Sequence, residues 1–248
     1  MLTVSGGSFA PAATSASISW LSDGAPIPGA TQPTLTLGPD QLNHAITAVV
    51  TGHRAGYTDG VARSAATAAI GPENLTITQE PALAGSARVG NPVAVAPGVV
   101  GPDGTRTFYH WRRDGVQIKK ATDARYVPTA DDLGHKLSVR VRYAKPGYTS
   151  VVRTLAMAEP VQATARIRAT SSSHRRVTVT VSSSAVGAVR GRVTVVNSLG
   201  QSKTRTLDHG QATFSADWLH AGKQTVTVTY LGSAKVAGRA LTKTIRVK

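Results

Sequence analysis

The stretch Trp20-Leu21-Ser22-Asp23-Gly24-Ala25-Pro26-Ile27 returns 91 positions later as Trp111-Arg112-Arg113-Asp114-Gly115-Val116-Gln117-Ile118. The offset then holds without a gap: Ala30-Thr31 recurs as Ala121-Thr122, Asp40 as Asp131, Leu42 as Leu133, His44 as His135, Ile46 as Leu137, and Gly56-Tyr57-Thr58 as Gly147-Tyr148-Thr149. An ungapped repeat of domain length means duplicated modules that each bury a core of their own. What recurs is turn chemistry and core spacing rather than a reactive constellation, which favours a scaffold over a catalyst.

Apolar residues alternate with polar ones along the chain. Val177, Val179 and Val181 alternate with Thr178 and Thr180, Val226, Val228 and Tyr230 with Thr227 and Thr229, and Leu137, Val139, Val141 and Tyr143 with Ser138, Arg140 and Arg142. A period of two in β-branched residues reads as half-buried antiparallel strands. Turn signals separate the runs, among them Asp23-Gly24, Asp114-Gly115, Pro102-Asp103-Gly104 and His209-Gly210, and no segment has helical periodicity. The fold class expected is therefore all-β, as three tandem sandwiches over residues 1–72, 73–160 and 161–248. Pro72 and Pro160 fall in matching linkers, which stiffens them and predicts copies standing in line. The second copy has a long lead-in, Leu75 to Val100, where the first begins inside the equivalent stretch, so the first sandwich is expected to lack its opening strand. Residues 161–248 fall outside the period but supply seven short strands, Ala165–Ala169, Arg176–Ser182, Gly191–Asn197, Ser202–Leu207, Ala212–Ser215, Gln224–Leu231 and Ala240–Val247.

Through Trp-x-x-Asp-Gly-x-x-Ile, Ala-Thr, Asp-x-Leu-x-His and Gly-Tyr-Thr, the first two modules resemble the tandem immunoglobulin-like repeats of large secreted or cell-surface proteins of Gram-positive bacteria, especially actinobacteria. The third, through Ala212-Thr213-Phe214, Ala221-Gly222, Thr225 to Tyr230 and Gly232-Ser233, looks like another bacterial immunoglobulin-like group. The resemblance implies a non-catalytic, extracellular or wall-associated spacer or adhesive array, joined to upstream domains of the same polypeptide such as a hydrolase or a surface anchor. In the second copy Lys119-Lys120 replace Pro28-Gly29 of the first.

Charge is uneven along the chain. The net +15 divides into −1 for residues 1–72, with two basic and three acidic side chains, +4 for 73–160, with twelve and eight, and +12 for 161–248, with fourteen and two. That gradient suggests a polyanionic neighbour, such as an anionic cell-wall polymer, an acidic glycan, nucleic acid or a membrane surface, of which the wall polymer or acidic glycan is the expected partner. Aromatics do not interleave with the basic residues Arg166, Arg168, Arg175, Arg176, Arg190, Arg192, Arg205, Arg246 and Lys248, so sequence-specific nucleic-acid binding is not expected. No apolar run reaches the roughly 20 residues of a membrane span. Residues 1–6 do not read as a signal peptide, so that of an exported protein would lie upstream. The seven histidines, His174 among them, show no paired metal spacing, cysteine is absent, and there is no nucleophile elbow or phosphate-binding glycine loop. Neither a catalytic residue, a metal site nor a cofactor is assigned.

Trp20 and Trp111 belong in the core, one strand ahead of a two-residue Asp-Gly hairpin turn. Asp40, Asp131 and Asp132 are expected to accept local backbone donors in the next turn. If Trp111, Val139 and Val141 point inward, Phe108, His110, Arg112, Arg140 and Arg142 share the opposite face of one sheet. Arginines beside an aromatic ring suit phosphate or carboxylate groups. The offset maps this face onto Ser17, Ser19, Leu21, Val49 and Thr51, so the fold does not require its charge. The leading expectation is a spacer and adhesion array that holds a functional head away from, and retains it at, an anionic cell envelope. An accessory glycan-binding region of a secreted hydrolase, with Phe108, Tyr57 and Tyr148 as sugar platforms, and a virion tail or decoration module are the rivals.

Overall fold

The computed structural model describes residues 1–172, 176–215 and 217–247. His174, Arg175 and Lys248, named above, lie outside the described residues. Tertiary contacts gather the chain into two compact units, one of Met1–Ile77, Val100–Arg106 and Tyr143–Val151, the other of Thr78–Val99, Thr107–Arg142 and Val152–Lys248. Among the described residues the regular structure is strand, with two single turns of 3-10 helix at Pro39–Gln41 and Ala130–Asp132.

In the first unit, a four-stranded antiparallel sheet runs in the order Ala25–Pro26, Ser15–Ser22, Ile46–His53, Gly60–Arg63. A two-stranded sheet of Leu2–Thr3 and Thr34–Leu35 completes the first sandwich, whose core is Trp20, Leu35, Ile46 and Ala48. The same strands recur in the second copy at the 91-residue offset: Arg106–Arg113, Val116–Gln117, Arg125–Tyr126 and Leu137–Ala144. Its second sheet, however, has three strands, Arg125–Tyr126, Val93–Ala96 and Ala82–Gly85. Among the described residues, the strand equivalent to Val93–Ala96 in the first copy, Leu2–Thr3, is paired with Thr34–Leu35.

The third sandwich stacks a sheet of Arg166–Ser171, Arg176–Ser182 and Gln211–Ser215 on one ordered Ser202–Thr206, Arg192–Asn197, Gly222–Tyr230, Arg239–Val247. Three strands over four is an immunoglobulin-like arrangement. Val177, Val179, Val193, Val195, Val226, Val228, Phe214 and Tyr230 are fully buried between the sheets. The fold is thus all-β, as tandem sandwiches. All seven expected strands of this module are present, with ends shifted by no more than two residues.

The repeated turn follows from its sequence. Asp23 and Gly24 have φ of 46° and 86°, Asp114 and Gly115 of 45° and 81°. Two successive positive φ values define the hairpin turn whose twist matches the flanking strands, and Asp-Gly tolerates them. The aspartate does a second job that the spacing did not reveal. Asp23 accepts from the Ala45 N–H at 2.7 Å and pairs with His44 Nδ1 at 2.6 Å, while Asp114 accepts from the Lys136 N–H at 2.8 Å and pairs with His135 Nδ1 at 2.5 Å. Each hairpin is so clasped to the start of the next core strand.

The turn after Thr34–Leu35 and its equivalent differ between copies. Gln41 Oε1 accepts the Gly38 N–H at 2.8 Å, and in the second copy Asp132 Oδ2 accepts the Thr129 N–H at 2.7 Å. Asp132 is also fully buried, with Arg113 Nε at 2.8 Å and the Tyr126 hydroxyl at 2.8 Å. Asp132 thus accepts a local backbone donor, as expected of this turn, and its carboxylate also anchors an ion pair with Arg113. Burial alone would raise its pKa, but the Thr129 N–H, the Arg113 guanidinium and the Tyr126 hydroxyl outweigh that and hold it below the usual range. The Tyr126 phenol is pushed up to about 12 by burial and by the same carboxylate.

Nor are the linkers free tethers. Ile70 exchanges backbone hydrogen bonds with Asn43 and His44 at 2.8 and 3.0 Å, and the Glu73 N–H donates to the Gly147 carbonyl at 3.0 Å. At the offset, Val161 bonds Gly134 and His135 at 2.8 and 2.9 Å, and the Ala163 N–H donates to Lys235 at 2.8 Å. Both linkers therefore join a ladder on each side.

Two outcomes are expected. Asp132→Ala leaves a half-buried guanidinium, a phenol and a backbone N–H unpaired and should cost the second sandwich about 3–5 kcal/mol, against about 1 kcal/mol for Gln41→Ala in the first. Denaturant-dependent hydrogen exchange at Val139, Val141 and Val50 measures both. The carboxyls of Asp23 and Asp114 lie below the usual carboxylate value, chiefly through the hydrogen bond with His44 or His135. A depressed acid contributes stability above its unfolded pKa and loses it as pH falls through the folded one. Stability should drop below about pH 4, and Asp23→Asn/Asp114→Asn should flatten that limb in thermal melts.

Candidate functional site

The site is built by alternation on two neighbouring strands of the second copy. Trp111, Val139 and Val141 are completely buried, which turns Phe108, His110 and Arg112 on Arg106–Arg113, and Arg140 and Arg142 on Leu137–Ala144, to the outer face. In the first copy Ser17 stands opposite Thr51 and Ser19 opposite Val49. Carried through the offset, that register sets Phe108 against Arg142 and His110 against Arg140. The Arg142 guanidinium lies over the Phe108 ring, 4.4 Å from its centroid. Arg112 Nε donates to the Gly115 carbonyl at 2.6 Å, which fixes its side chain along the hairpin.

His110, Arg112, Arg140, Arg142 and Gln117 line a shallow pocket of about 240 Å³. All five residues expected on this face are thus together, with Phe108 beneath Arg142. Gln117 was missed, although the hairpin register that pairs it with Arg112 follows from the Asp-Gly turn. No acid lines the pocket, and Arg140 and Arg142 have no carboxylate partner among the described residues. The protein itself therefore leaves these charges uncompensated. Geometrically the face offers guanidinium forks and an imidazole to an oxyanion, with one amide beside them.

The equivalent face of the first copy carries Ser17, Ser19, Leu21, Val49 and Thr51. Ser17 Oγ lies 3.1 Å from His53 Nε2, and His53 Nδ1 is itself paired with Asp59 at 2.9 Å. In the third sandwich, among the described residues, Lys203 is the only lysine or arginine in an ion pair, with Asp217 at 3.1 Å. Arg166, Arg168, Arg176, Arg190, Arg192, Arg205 and Arg246 are exposed. The aromatic platforms expected for sugars each carry a cation: Arg142 over Phe108, Arg54 over Tyr57 at 5.5 Å, and Lys145 over Tyr148 at 5.5 Å. Among the described residues no three His, Asp or Glu gather where a metal could bind, and no helix is long and apolar enough to cross a membrane.

No family model matches the chain, and no curated protein matches it. Among solved structures it is similar to the three N-terminal domains of the bacteriophage RB49 highly immunogenic outer capsid protein (Hoc), at 13% identity and a TM-score of 0.31, covering 99% of this chain and 93% of that one. It is also similar to the FN1-FN3 domains of chicken CNTN1, at 10% identity and a TM-score of 0.26, covering 93% and 91%. Neither likeness assigns a ligand or a role.

Because Arg140 is exposed and unpaired, Arg140→Gln should leave the second sandwich within about 0.5 kcal/mol of its original stability in urea melts. A larger loss would mean that the face is part of the fold's own support.

Proposed function

We propose that the chain is a non-catalytic spacer and adhesion array that holds attached domains at an anionic cell envelope, with the guanidinium face of the second copy and the basic third sandwich as its contacts. The observation that carries this reading is the uncompensated pair Arg140 and Arg142 beside His110 and Arg112, on a scaffold whose other copy does without a single charge there. Since the fold does not need these charges, a ligand outside the fold accounts for them. The chemistry they fit is a repeated phosphate or carboxylate, as in an anionic wall polymer. The cations over Phe108, Tyr57 and Tyr148 cover the ring faces that a neutral sugar would stack on, which favours an anionic ligand over a neutral glycan.

Retention should be electrostatic and therefore salt-sensitive, because each neutralised phosphate releases condensed counterions. On purified walls of a Gram-positive bacterium the chain should be retained at low salt and released as salt rises. Arg140→Glu/Arg142→Glu should reduce retention about tenfold and lower the salt slope by about two. Equal retention on walls stripped of anionic polymer would refute the reading.

A further inference from the structure

The first copy carries three polar side chains in a line across the outer face of its four-stranded sheet. Ser17 pairs with Thr51, so His53 stands diagonally from Ser17 on the same face. Gly52 pairs with Gly60, which sets Asp59 across from His53, just ahead of the strand Gly60–Arg63. Register thus gathers a hydroxyl and an imidazole that lie 36 positions apart in the chain, with a carboxylate behind them. Ser17 Oγ is 3.1 Å from His53 Nε2, and His53 Nδ1 is 2.9 Å from Asp59 Oδ1. Ser17 and Asp59 are exposed and His53 is half-buried, so solvent and small molecules reach the hydroxyl. At the offset the second copy holds Phe108, Ala144 and Ser150, so the fold has no need of this line.

The arrangement has a definite chemistry. In the neutral imidazole, the Asp59 carboxylate takes the Nδ1 proton as acceptor, which leaves the Nε2 lone pair facing the Ser17 hydroxyl. A nucleophile within hydrogen-bond reach of a base, and that base oriented by a third group, is the geometry of an activated hydroxyl. A backbone donor for the developing oxyanion is the part that Ser17 does not supply. The Asp23 N–H donates to the Ala45 carbonyl, and bonded pairs recur at every second residue from there, so the Ser17 N–H is bonded across to Thr51. In acyl-transferring sites the amide of the serine itself serves the oxyanion. With that amide committed, only a donor with a good leaving group can react. The ester then formed on Ser17 has an alkoxide as its leaving group and persists.

We propose that Ser17 is an acyl-acceptor site, with His53 as its base and Asp59 as the residue that positions the base, and that it takes a single acyl group from an activated donor such as an aryl ester or a thioester. Ser17 Oγ bonds to the acyl carbon while its proton passes to His53 Nε2. The bond from that carbon to the aryl oxide or thiolate breaks, and the leaving group takes the proton from the imidazolium. The products are a free phenol or thiol and an ester of Ser17, with nothing oxidised or reduced. One transfer per chain is a modification of the array rather than turnover, and it is independent of the guanidinium face of the second copy.

The probe is p-nitrophenyl acetate added to the full 248-residue chain, with the acetylated positions and their rates read by peptide mapping. Ser17 should be the serine acetylated, and the ester should outlast the reaction. His53→Gln should slow acetylation of Ser17 at least about tenfold, the lower part of what a positioned base contributes. Asp59→Asn should slow it less and shift the His53 ring nitrogens toward the Nε2-protonated tautomer in 15N NMR, a change that a purely structural carboxylate would not produce. Melting temperatures of both variants should match the parent, because the side chains are at the surface. Arg140→Glu/Arg142→Glu should leave the Ser17 rate unchanged while it weakens wall retention, so the two proposals fail separately. Acetyl groups confined to amines, an equal Ser17 rate in His53→Gln, or serines elsewhere labelled as fast as Ser17 would each overturn the proposal.

Discussion

Each of the first two sandwiches is organised around an indole that touches both layers. Trp20 Nε1 donates to the Gln32 carbonyl and Trp111 Nε1 to the Asp123 carbonyl, both at 2.9 Å and both twelve residues ahead in the chain. A buried indole fills the space between sheets and needs a partner for its single polar atom. By bonding the connection that leads to the opposite sheet, it fixes where that connection turns, and the strand pair Leu2 to Leu35, or Val93 to Tyr126, follows in register. In the second copy the ring also stacks on Tyr126, at 5.4 Å, whose hydroxyl reaches Asp132. The chain of contacts thus runs from indole to phenol to carboxylate to Arg113, on the strand that carries the tryptophan itself.

Much of this was legible in the sequence because it rests on short-range rules. Alternation located the strands, and Asp-Gly located a turn whose φ values only a few residue types tolerate. The outward set Phe108, His110, Arg112, Arg140 and Arg142 was also readable, since a buried tryptophan and two buried valines leave only one side for their neighbours. Pairings across long separations were not. Asp114 and His135 were visible as repeated residues, yet nothing local joins positions 21 apart. Asp132 was obscured for a further reason: its counterpart is Gln41, which performs the backbone half of the task without the ionic half. Lys120 has φ of 62° where the first copy has Gly29 at 77°, so the second copy keeps a left-handed turn with a residue that gives no warning of it.

Duplication turns the two copies into a natural substitution experiment. Their shared elements are those the fold demands, namely the indole, the Asp-Gly turn with its histidine clasp, and the linker ladders at Ile70 and Val161. The linker ladders alter the simplest view of such an array, in which sandwiches hang on flexible tethers. A segment bonded through its backbone on both sides has few conformations left to lose. What differs between copies is what the fold leaves open, and there charge accumulates on the outer face of one copy while the other keeps hydroxyls and apolar groups.

The two copies also differ in where one of their packed aromatic rings comes from. In the second copy Tyr143, nearly fully buried, fills the region where the first copy has Gly52. There the Phe9 ring lies directly on the glycine: a Cβ on Gly52 would fall 2.8 Å from the ring, and one on Gly60 at 2.9 Å. An aromatic ring carried by a strand in one copy is thus replaced by one supplied from the segment between Leu2–Thr3 and Ser15–Ser22 in the other, and volume-conserving exchanges of this kind keep interiors near close packing. The first sandwich has therefore compensated for the side chain it lacks at position 52. Leu2 and Val4, both half-buried, pack against the same core as Trp20, Leu35 and Ile46, so this short strand contributes side chains to the interior as well as backbone pairing with Thr34–Leu35.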